Sequence, residues 1–143
     1  MAPLIFLSEV LYDRDFASTF IYGGRSVRDL LFQGRIAKNS KLLLTTEDGS
    51  AGVHGRVTDV LDAAVDGHRH IAMYACGPEA MLHALATAAD KKGTPLEVAM
   101  EQAMACGMGT CKGCAVHDAD GKFKYVCSDG PVFDARAIWG GVQ

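Results

Sequence analysis

Four cysteines near the C-terminal end of the sequence have the spacing of a cluster-binding site. Their pattern is C-x4-C-x2-C-x12-C. The first two spacings, which join the first three cysteines, match the plant-type [2Fe–2S] arrangement, in which one loop wraps the cluster and a more distant cysteine closes the site. We therefore predict a [2Fe–2S] cluster held by four thiolates, those of Cys106, Cys111, Cys114 and Cys127.

Glycines lie between these cysteines, at Gly107, Gly109 and Gly113. A loop that aims three thiolates inward must bend sharply and must bring backbone N–H groups close to the sulfur atoms. Glycine permits both, because it tolerates positive φ and close approach of the backbone. We expect these glycines to shape the cluster pocket.

Zinc is the main chemical alternative, and unrelated buried thiols are a third interpretation. Structural zinc sites usually contain two short C-x2–4-C pairs. Only Cys111 and Cys114 have that spacing here. The pattern therefore favours the cluster.

Other potential ligands are not assigned to the cluster. Cys76 ends a predicted strand, and a free cysteine there is more often a small buried hydrophobic residue. No Ser/His/Asp arrangement and no paired acid motif stands out, so no catalytic residue is predicted. Surface or satisfied core positions, rather than metal ligands, are expected for the five histidines, which are His54, His68, His70, His83 and His117.

Two motifs follow predicted strands, where open α/β sheets bind their ligands. They are Gly23-Gly24-Arg25 and Cys76-Gly77-Pro78. Glycine lets a cofactor approach the backbone, and Arg25 offers a planar cation, although a glycine pair is about as often a plain turn. Glu79 would repel an anion at the start of its helix, which favours a neutral nicotinamide ring near the second motif.

Hydrophobic periodicity predicts alternating strands and helices up to about residue 100. This order is typical of a doubly wound parallel α/β sheet. We divide the chain into an α/β domain, 1–97, and a small Cys-rich β module, 98–143. The predicted helices are 3–11 (with a strand at 4–7 as the alternative), 27–32, 56–65 and 78–92, and the predicted strands are 19–22, 42–46, 70–75, 96–100, 114–117 and 123–126.

Composition excludes two classes of partner. Net charge is −3 and there is no basic run, so we expect no nucleic-acid binding. No apolar stretch approaches the length of a membrane span, so we expect no membrane association. Closely spaced thiols that bind a cluster suit a reducing compartment, and the cytoplasm is the expected location.

Five segments together resemble a known family. ASTFIYGGRSVRDLLF, TEDGSAGVHGRVTDVL and YACGPEAM look like the nucleotide-binding half of the ferredoxin–NADP reductase superfamily. LEVAMEQAMACGMGTCKGCAVH and YVCSDGPVFDA are similar to the electron-transfer subunit of class 1B dihydroorotate dehydrogenase. The resemblance covers nearly the whole chain, and its last part is the most specific.

This resemblance implies a chain of electron carriers. NADH would give a hydride to FAD, and a [2Fe–2S] cluster would relay single electrons to FMN in a partner subunit that oxidises dihydroorotate for pyrimidine biosynthesis. Cys106, Cys111, Cys114 and Cys127 would bind the cluster. Gly23, Gly24 and Arg25 would contact the nucleotide, and Cys76, Gly77 and Pro78 would lie by the nicotinamide and flavin.

The sequence departs from the family pattern at its start. Members begin with a flavin-binding β-barrel carrying an Arg-x-Tyr-Ser/Thr motif, and their first nucleotide-domain strand precedes an Ala-Pro-Leu such as Ala2-Pro3-Leu4. We therefore expect the chain to match the C-terminal half of the family, with the first strand missing. FAD would belong to the full-length protein, and a flavin domain or a second chain would complete the sheet. Alone, the chain is not expected to perform the full reaction.

Two alternatives stay open at this point. One is the small subunit of a related NAD(P)H–ferredoxin or sulfide oxidoreductase, in which an acidic residue tends to stand where this sequence has Cys106. The other is a zinc-stabilised, non-enzymatic binding module.

Overall fold

The computed structural model describes residues 1–68 and 70–141. They belong to two compact units, Met1–Arg69 and His70–Gln143. Each unit combines a small sheet with helices. The mixed α/β class predicted from the sequence is confirmed.

The first unit contains a three-stranded sheet in the order β1 (Thr19–Gly24), β2 (Lys41–Thr46), β3 (Val53–His54). All three strands run parallel. Their carboxyl ends therefore meet at one edge of the sheet. The unit also has three α-helices and two 3₁₀ turns: α1 (Ala2–Asp13), α2 (Gln33–Asn39), α3 (Leu61–Val65), Val27–Asp29 and Val57–Val60.

Helix α1 settles an ambiguity in the sequence. The apolar run at its centre is helical, so the alternative strand at residues 4–7 was wrong. Pro3 lies in the first turn, where its missing N–H costs nothing. Ile5 is buried against Phe20 and Ile36, which form the core of this unit. A bidentate ion pair from Arg35 of α2 to Glu9 of α1, with Nε–Oε1 at 2.6 Å, adds to this packing.

The second unit contains a mixed sheet in the order β4 (Met73–Cys76), β5 (Leu96–Ala99), β8 (Val132–Asp134). Strands β4 and β5 are parallel, and β8 is antiparallel to β5. Val98 at the centre of β5 is completely buried. The remaining elements are α4 (Glu79–Lys91), α5 (Val126–Asp129), α6 (Ala135–Trp139), and a hairpin of β6 (Ala115–His117) and β7 (Phe123–Tyr125).

Several elements differ from the prediction. The predicted helix 56–65 is helical, but its first turn is 3₁₀. Helices α2, α5 and α6 and the short strands β3 and β8 were not predicted. The predicted helix 27–32 was wrong beyond Asp29, because only Val27–Asp29 forms a 3₁₀ turn. The proposed boundary after residue 97 stays a prediction, and the sheet of the second unit contains strands from both sides of it. None of the helices within residues 1–68 and 70–141 has the length and apolar character needed to cross a bilayer.

Candidate functional site

The β6–β7 hairpin brings the last two predicted ligands together. Cys114 directly precedes β6, and Cys127 lies in α5, directly after β7. Because the strands pair antiparallel, the N–H of Val126 donates to the carbonyl of Cys114 at 3.1 Å. The two sulfur atoms consequently lie 3.2 Å apart.

The first two predicted ligands form a second pair in the loop between β5 and β6. The N–H of Cys111 donates to Sγ of Cys106 at 3.4 Å. Gly107 and Gly109 adopt φ of 68° and 81°, a left-handed conformation that turns the loop back on itself. Lys112 has φ of 58°, so the backbone also turns between Cys111 and Cys114.

Backbone N–H groups converge on all four sulfur atoms. The shortest such contact joins the N–H of Gly109 to Sγ of Cys127 at 3.1 Å. Donors of this kind stabilise thiolates, because a hydrogen bond to the charged form favours it. The other contacts, at 3.4–3.5 Å, run from Met108 and Cys111 to Cys106, from Gly113 to Cys111, and from Cys127 to Cys114.

These contacts change the acidity of three thiols. Donation from the N–H groups of Cys111 and Met108 lowers the pKa of Cys106 to about 6. Donation from the backbone of Cys127 lowers the pKa of Cys114, whereas the hydrogen bond between the two side chains raises the pKa of Cys127. The contact between the two side chains thus moves the pKa values of Cys114 and Cys127 in opposite directions.

The donor set fits an iron–sulfur cluster. Thiolates are the usual ligands of such clusters, and hydrogen bonds to sulfur tune them. Cys114 is buried, Cys106 and Cys127 are half-buried, and Cys111 is exposed. The thiols form two pairs; among the described residues, no group of three or more His, Cys, Asp or Glu side chains could hold a single metal ion.

The first strand-end motif lies in the first unit, at the edge where β1 ends. The carbonyls of Gly24 and Arg25 accept hydrogen bonds from the N–H groups of Glu47 and Asp48, both at 3.1 Å. A side chain at Gly23 would come within 2.6 Å of Cγ1 of Val57. Packing alone therefore explains glycine at position 23, and Arg25 is the part of the motif that is exposed and charged.

The second strand-end motif lies at the end of β4, in the second unit. Cys76 is half-buried, and its Sγ lies 3.7 Å from Oε1 of Glu101. Pro78 is the N-cap of α4, so the helix begins at Glu79, one residue later than predicted. Glu101 was missed by sequence reasoning, although it follows β5, the strand next to β4. That adjacency is the signal that could have identified it.

Two of the histidines pack against aromatic rings. His83 and Trp139 form an edge-to-face contact with centroids 5.7 Å apart. His117 lies 4.5 Å from Phe123 across the hairpin. Both histidines are exposed, which is one of the two kinds of position expected for them.

The segment that contains the four cysteines is similar to a known protein family. Residues 101–138 match the family model described as the iron–sulfur cluster binding domain of dihydroorotate dehydrogenase B. All four predicted ligands lie inside this match. The chain is related to the electron transfer subunits of dihydroorotate dehydrogenase B. The resemblance inferred from the sequence is confirmed.

Curated relatives extend the similarity beyond the cysteines. Electron transfer subunits of dihydroorotate dehydrogenase B (NAD(+)) from Desulforamulus reducens and, as a probable assignment, Methanopyrus kandleri are 33% and 40% identical over 96% and 98% of this chain. The alignments cover 55% and 52% of those proteins. The chain spans about half the length of the curated relatives it matches.

A solved structure shows the same relationship in three dimensions. An NADH-dependent reduced ferredoxin–NADP oxidoreductase, studied for flavin-based electron bifurcation, matches with a TM-score of 0.83 and 28% identity. The match covers 94% of this chain and 49% of that chain.

Proposed function

We propose that this chain is the nucleotide- and cluster-binding part of an oxidoreductase electron transfer subunit. It would carry electrons from NADH, through FAD bound by the full-length protein and a [2Fe–2S] cluster, to dihydroorotate dehydrogenase in pyrimidine biosynthesis. The observation that carries this proposal is the loop in which every one of four cysteine sulfurs accepts a backbone N–H.

The ligands of the cluster would be Cys106, Cys111, Cys114 and Cys127. When bound, a [2Fe–2S] centre accepts and releases one electron at a time. The chain would contribute two thiol pairs, the N–H donors that stabilise negative charge on sulfur, and a buried side at Cys114.

The nucleotide contacts would come from the two strand-end motifs. Gly23 and Gly24 end β1 at the carboxyl edge of the first sheet, and Arg25 follows them. Cys76 ends β4, and Gly77 and Pro78 follow it. This is the position at which α/β sheets bind nucleotides. The exposed guanidinium of Arg25 suits phosphate oxygens.

The proposal also covers the partner subunit, the location in the cell and the completion of the sheet. The partner would be the FMN-containing catalytic subunit, and the cytoplasm would be the location. The sheet would be doubly wound, with a flavin domain or a second chain completing it, and the cluster module would begin at residue 98.

Iron and acid-labile sulfide per chain test the proposal. Anaerobically prepared protein is expected to hold two of each per chain, to be red-brown, and to give a paramagnetic signal on reduction. Cys111→Ser is expected to lose the visible spectrum, while the matched control Cys76→Ser keeps it. A colourless protein that contains zinc instead would overturn the cluster assignment.

The ferredoxin-type alternative is not favoured, since the curated relatives named above are electron transfer subunits of dihydroorotate dehydrogenase B. Cys106 discriminates between the two, because relatives of the other type tend to have an acidic residue there. An unchanged visible spectrum in Cys106→Asp would count against Cys106 as a ligand.

A further inference from the structure

The sulfur atoms of Cys114 and Cys127 are close enough to bond to each other as well as to hold iron. They lie 3.2 Å apart. A disulfide needs its two sulfurs at about 2.05 Å, so bond formation requires a movement of roughly 1 Å. Small rotations of the two side chains can supply that movement. Cysteines that are much farther apart need a shift of the backbone instead.

Strand pairing keeps these two residues together. Strands β6 and β7 pair antiparallel, with Ala115 opposite Tyr125. The N–H of Val126 donates to the carbonyl of Cys114 at 3.1 Å, which extends the ladder by one step toward the cysteines. These hydrogen bonds join backbone atoms, so they are compatible with free thiols and with a disulfide. A bond between the two sulfurs would close a ring whose ends the hairpin already holds together.

The two sulfurs differ in their access to solvent. Cys114 is only 3% exposed, whereas Cys127 is half-buried. A small oxidant therefore reaches Cys127 first, and Cys114 lies behind it within contact distance. An accessible thiol next to a second thiol that can resolve the first oxidation product is typical of a reversible redox site.

The other two predicted ligands are less constrained. Cys106 and Cys111 lie in the loop between β5 and β6, outside any strand. Their contact runs from the N–H of Cys111 to Sγ of Cys106, at 3.4 Å. Because no ladder of strand hydrogen bonds holds this pair, we expect a disulfide to form there less easily than between Cys114 and Cys127.

We propose that Cys114 and Cys127 form a reversible disulfide in the cluster-free chain, and that this disulfide prevents entry of the cluster until it is reduced. The oxidant is a low-molecular-weight disulfide. The thiolate of Cys127 attacks one of its sulfurs, its S–S bond breaks, and one small thiolate leaves. The thiolate of Cys114 then attacks the sulfur of Cys127, and the second small thiolate leaves. Two electrons pass from the protein to the small disulfide, and the two protons of the protein thiols end on the two released thiols.

The second half of this proposal rests on the proposed cluster, whereas the first half does not. The disulfide would remove two of the four thiolates that a [2Fe–2S] centre needs, and Cys106 and Cys111 alone would not hold it. Conversely, thiolates bound to iron are not free to attack an oxidant. The same two residues would therefore choose between a covalent bond and the cluster.

Peptide mapping of the full-length protein tests the disulfide. Iron is removed with a chelator under anaerobic conditions, oxidised glutathione is added, and free thiols are alkylated before digestion without reductant. Trypsin places Cys114 in peptide 113–122 and Cys127 in peptide 125–136. We expect the cross-link between these peptides to be the predominant protein disulfide, with a loss of two free thiols per chain.

Three controls accompany this map. Cys76→Ser should leave the cross-link unchanged, and Cys127→Ser should abolish it. In urea the preference should be lost, because unfolding separates the strands and cysteines nearer in sequence then pair more easily. A predominant disulfide within peptide 93–112, which contains Cys106 and Cys111, would overturn the proposal, as would a glutathione adduct that does not convert to the cross-link.

Reconstitution with iron and sulfide tests the effect on the cluster. The cross-linked protein should develop no visible spectrum until dithiothreitol is added, and protein loaded beforehand should give no cross-link with oxidised glutathione. Equal loading of cross-linked and reduced protein would overturn the block on cluster entry. Failure of the fully reduced protein to load would instead overturn the proposed cluster, while the mapped disulfide would stand.

Discussion

The sulfur atoms of Cys114 and Cys127 lie 3.2 Å apart across the base of a two-stranded hairpin, although the residues are 13 positions apart in the sequence. Strand pairing, rather than the cysteines themselves, sets this distance, because the hairpin register places Cys114 opposite Val126.

We expect this pair to act as one unit. Cys114→Ser and Cys127→Ser should each abolish iron binding, and the double variant should be no worse than either. Iron and sulfide analysis after anaerobic reconstitution measures this. Ser128→Ala, next to Cys127, should retain the cluster, and iron retained in one single variant but not in the other would contradict the expectation.

Gly109 is expected to be essential for cluster assembly. It combines φ of 81° with an N–H donated to Cys127, and a Cβ there would lie 3.4 Å from Oγ of Ser128. Gly109→Ala should reduce iron content severalfold by displacing this donor. The control is Gly121→Ala, which has a similar φ of 76° and nothing within 4 Å. Both variants should lose roughly 1 kcal/mol of stability from the left-handed backbone, but only the first should lose iron.

Gly52 should tolerate no side chain. Its φ is 65°, and a Cβ would overlap the backbone carbonyl of Leu44. Gly52→Ala is expected to destabilise the first unit by more than about 2 kcal/mol, because a backbone atom must move. Gly67→Ala, with φ of 83° and open space, should cost only about 1 kcal/mol. Similar urea midpoints for the two variants would refute this.

Leu82 is expected to dominate the packing of α4. Its side chain is 1% exposed. Leu82→Ala should lower the free energy of unfolding by about 2–5 kcal/mol, from lost burial and the cavity left behind. Val132→Ala, at a position 49% exposed, should change it by under about 1 kcal/mol. Thermal or urea unfolding compares the two.

The ion pair between Glu9 and Arg35 predicts a dependence of stability on pH. Hydrogen bonding from Arg35 lowers the pKa of Glu9 in the folded chain. A lowered folded pKa means that the stabilisation is present above the ordinary carboxylate pKa and is lost as the pH falls through the folded value. The difference in urea midpoint between wild type and Glu9→Gln should therefore be larger near about pH 7 than near about pH 3. A difference that grows on acidification would contradict this sign.

The sequence alone predicted those features of the structure that depend on a local pattern of residues. Cysteine spacing identified the cluster loop, and Gly93, at φ of 63°, ends α4 as expected of a left-handed C-cap. The apolar run of α1 could not be assigned by periodicity alone. Its burial against Phe20 and Ile36 distinguishes helix from strand, and that contact is tertiary.

Other features depend on long-range pairing that no local pattern encodes. Strand β8 has only three residues and exists because it pairs with β5. Glu47 and Glu101 look like ordinary surface acids in the sequence. Only the structure shows that each of them lies beside a strand-end motif. The N–H of Glu47 donates to the carbonyl of Gly24, and the carboxylate of Glu101 lies beside Sγ of Cys76.

The placement of β8 has a consequence for how the holoprotein is made. The segment with the four cysteines leaves the sheet at the end of β5 and returns to the same strand through β8. Both ends of that segment are anchored by the backbone pairing of β5 with β8. If the four cysteines bind the cluster as proposed, iron and sulfide would enter a loop whose two ends are already held together by strand pairing, which offsets part of the entropy cost of closing that loop.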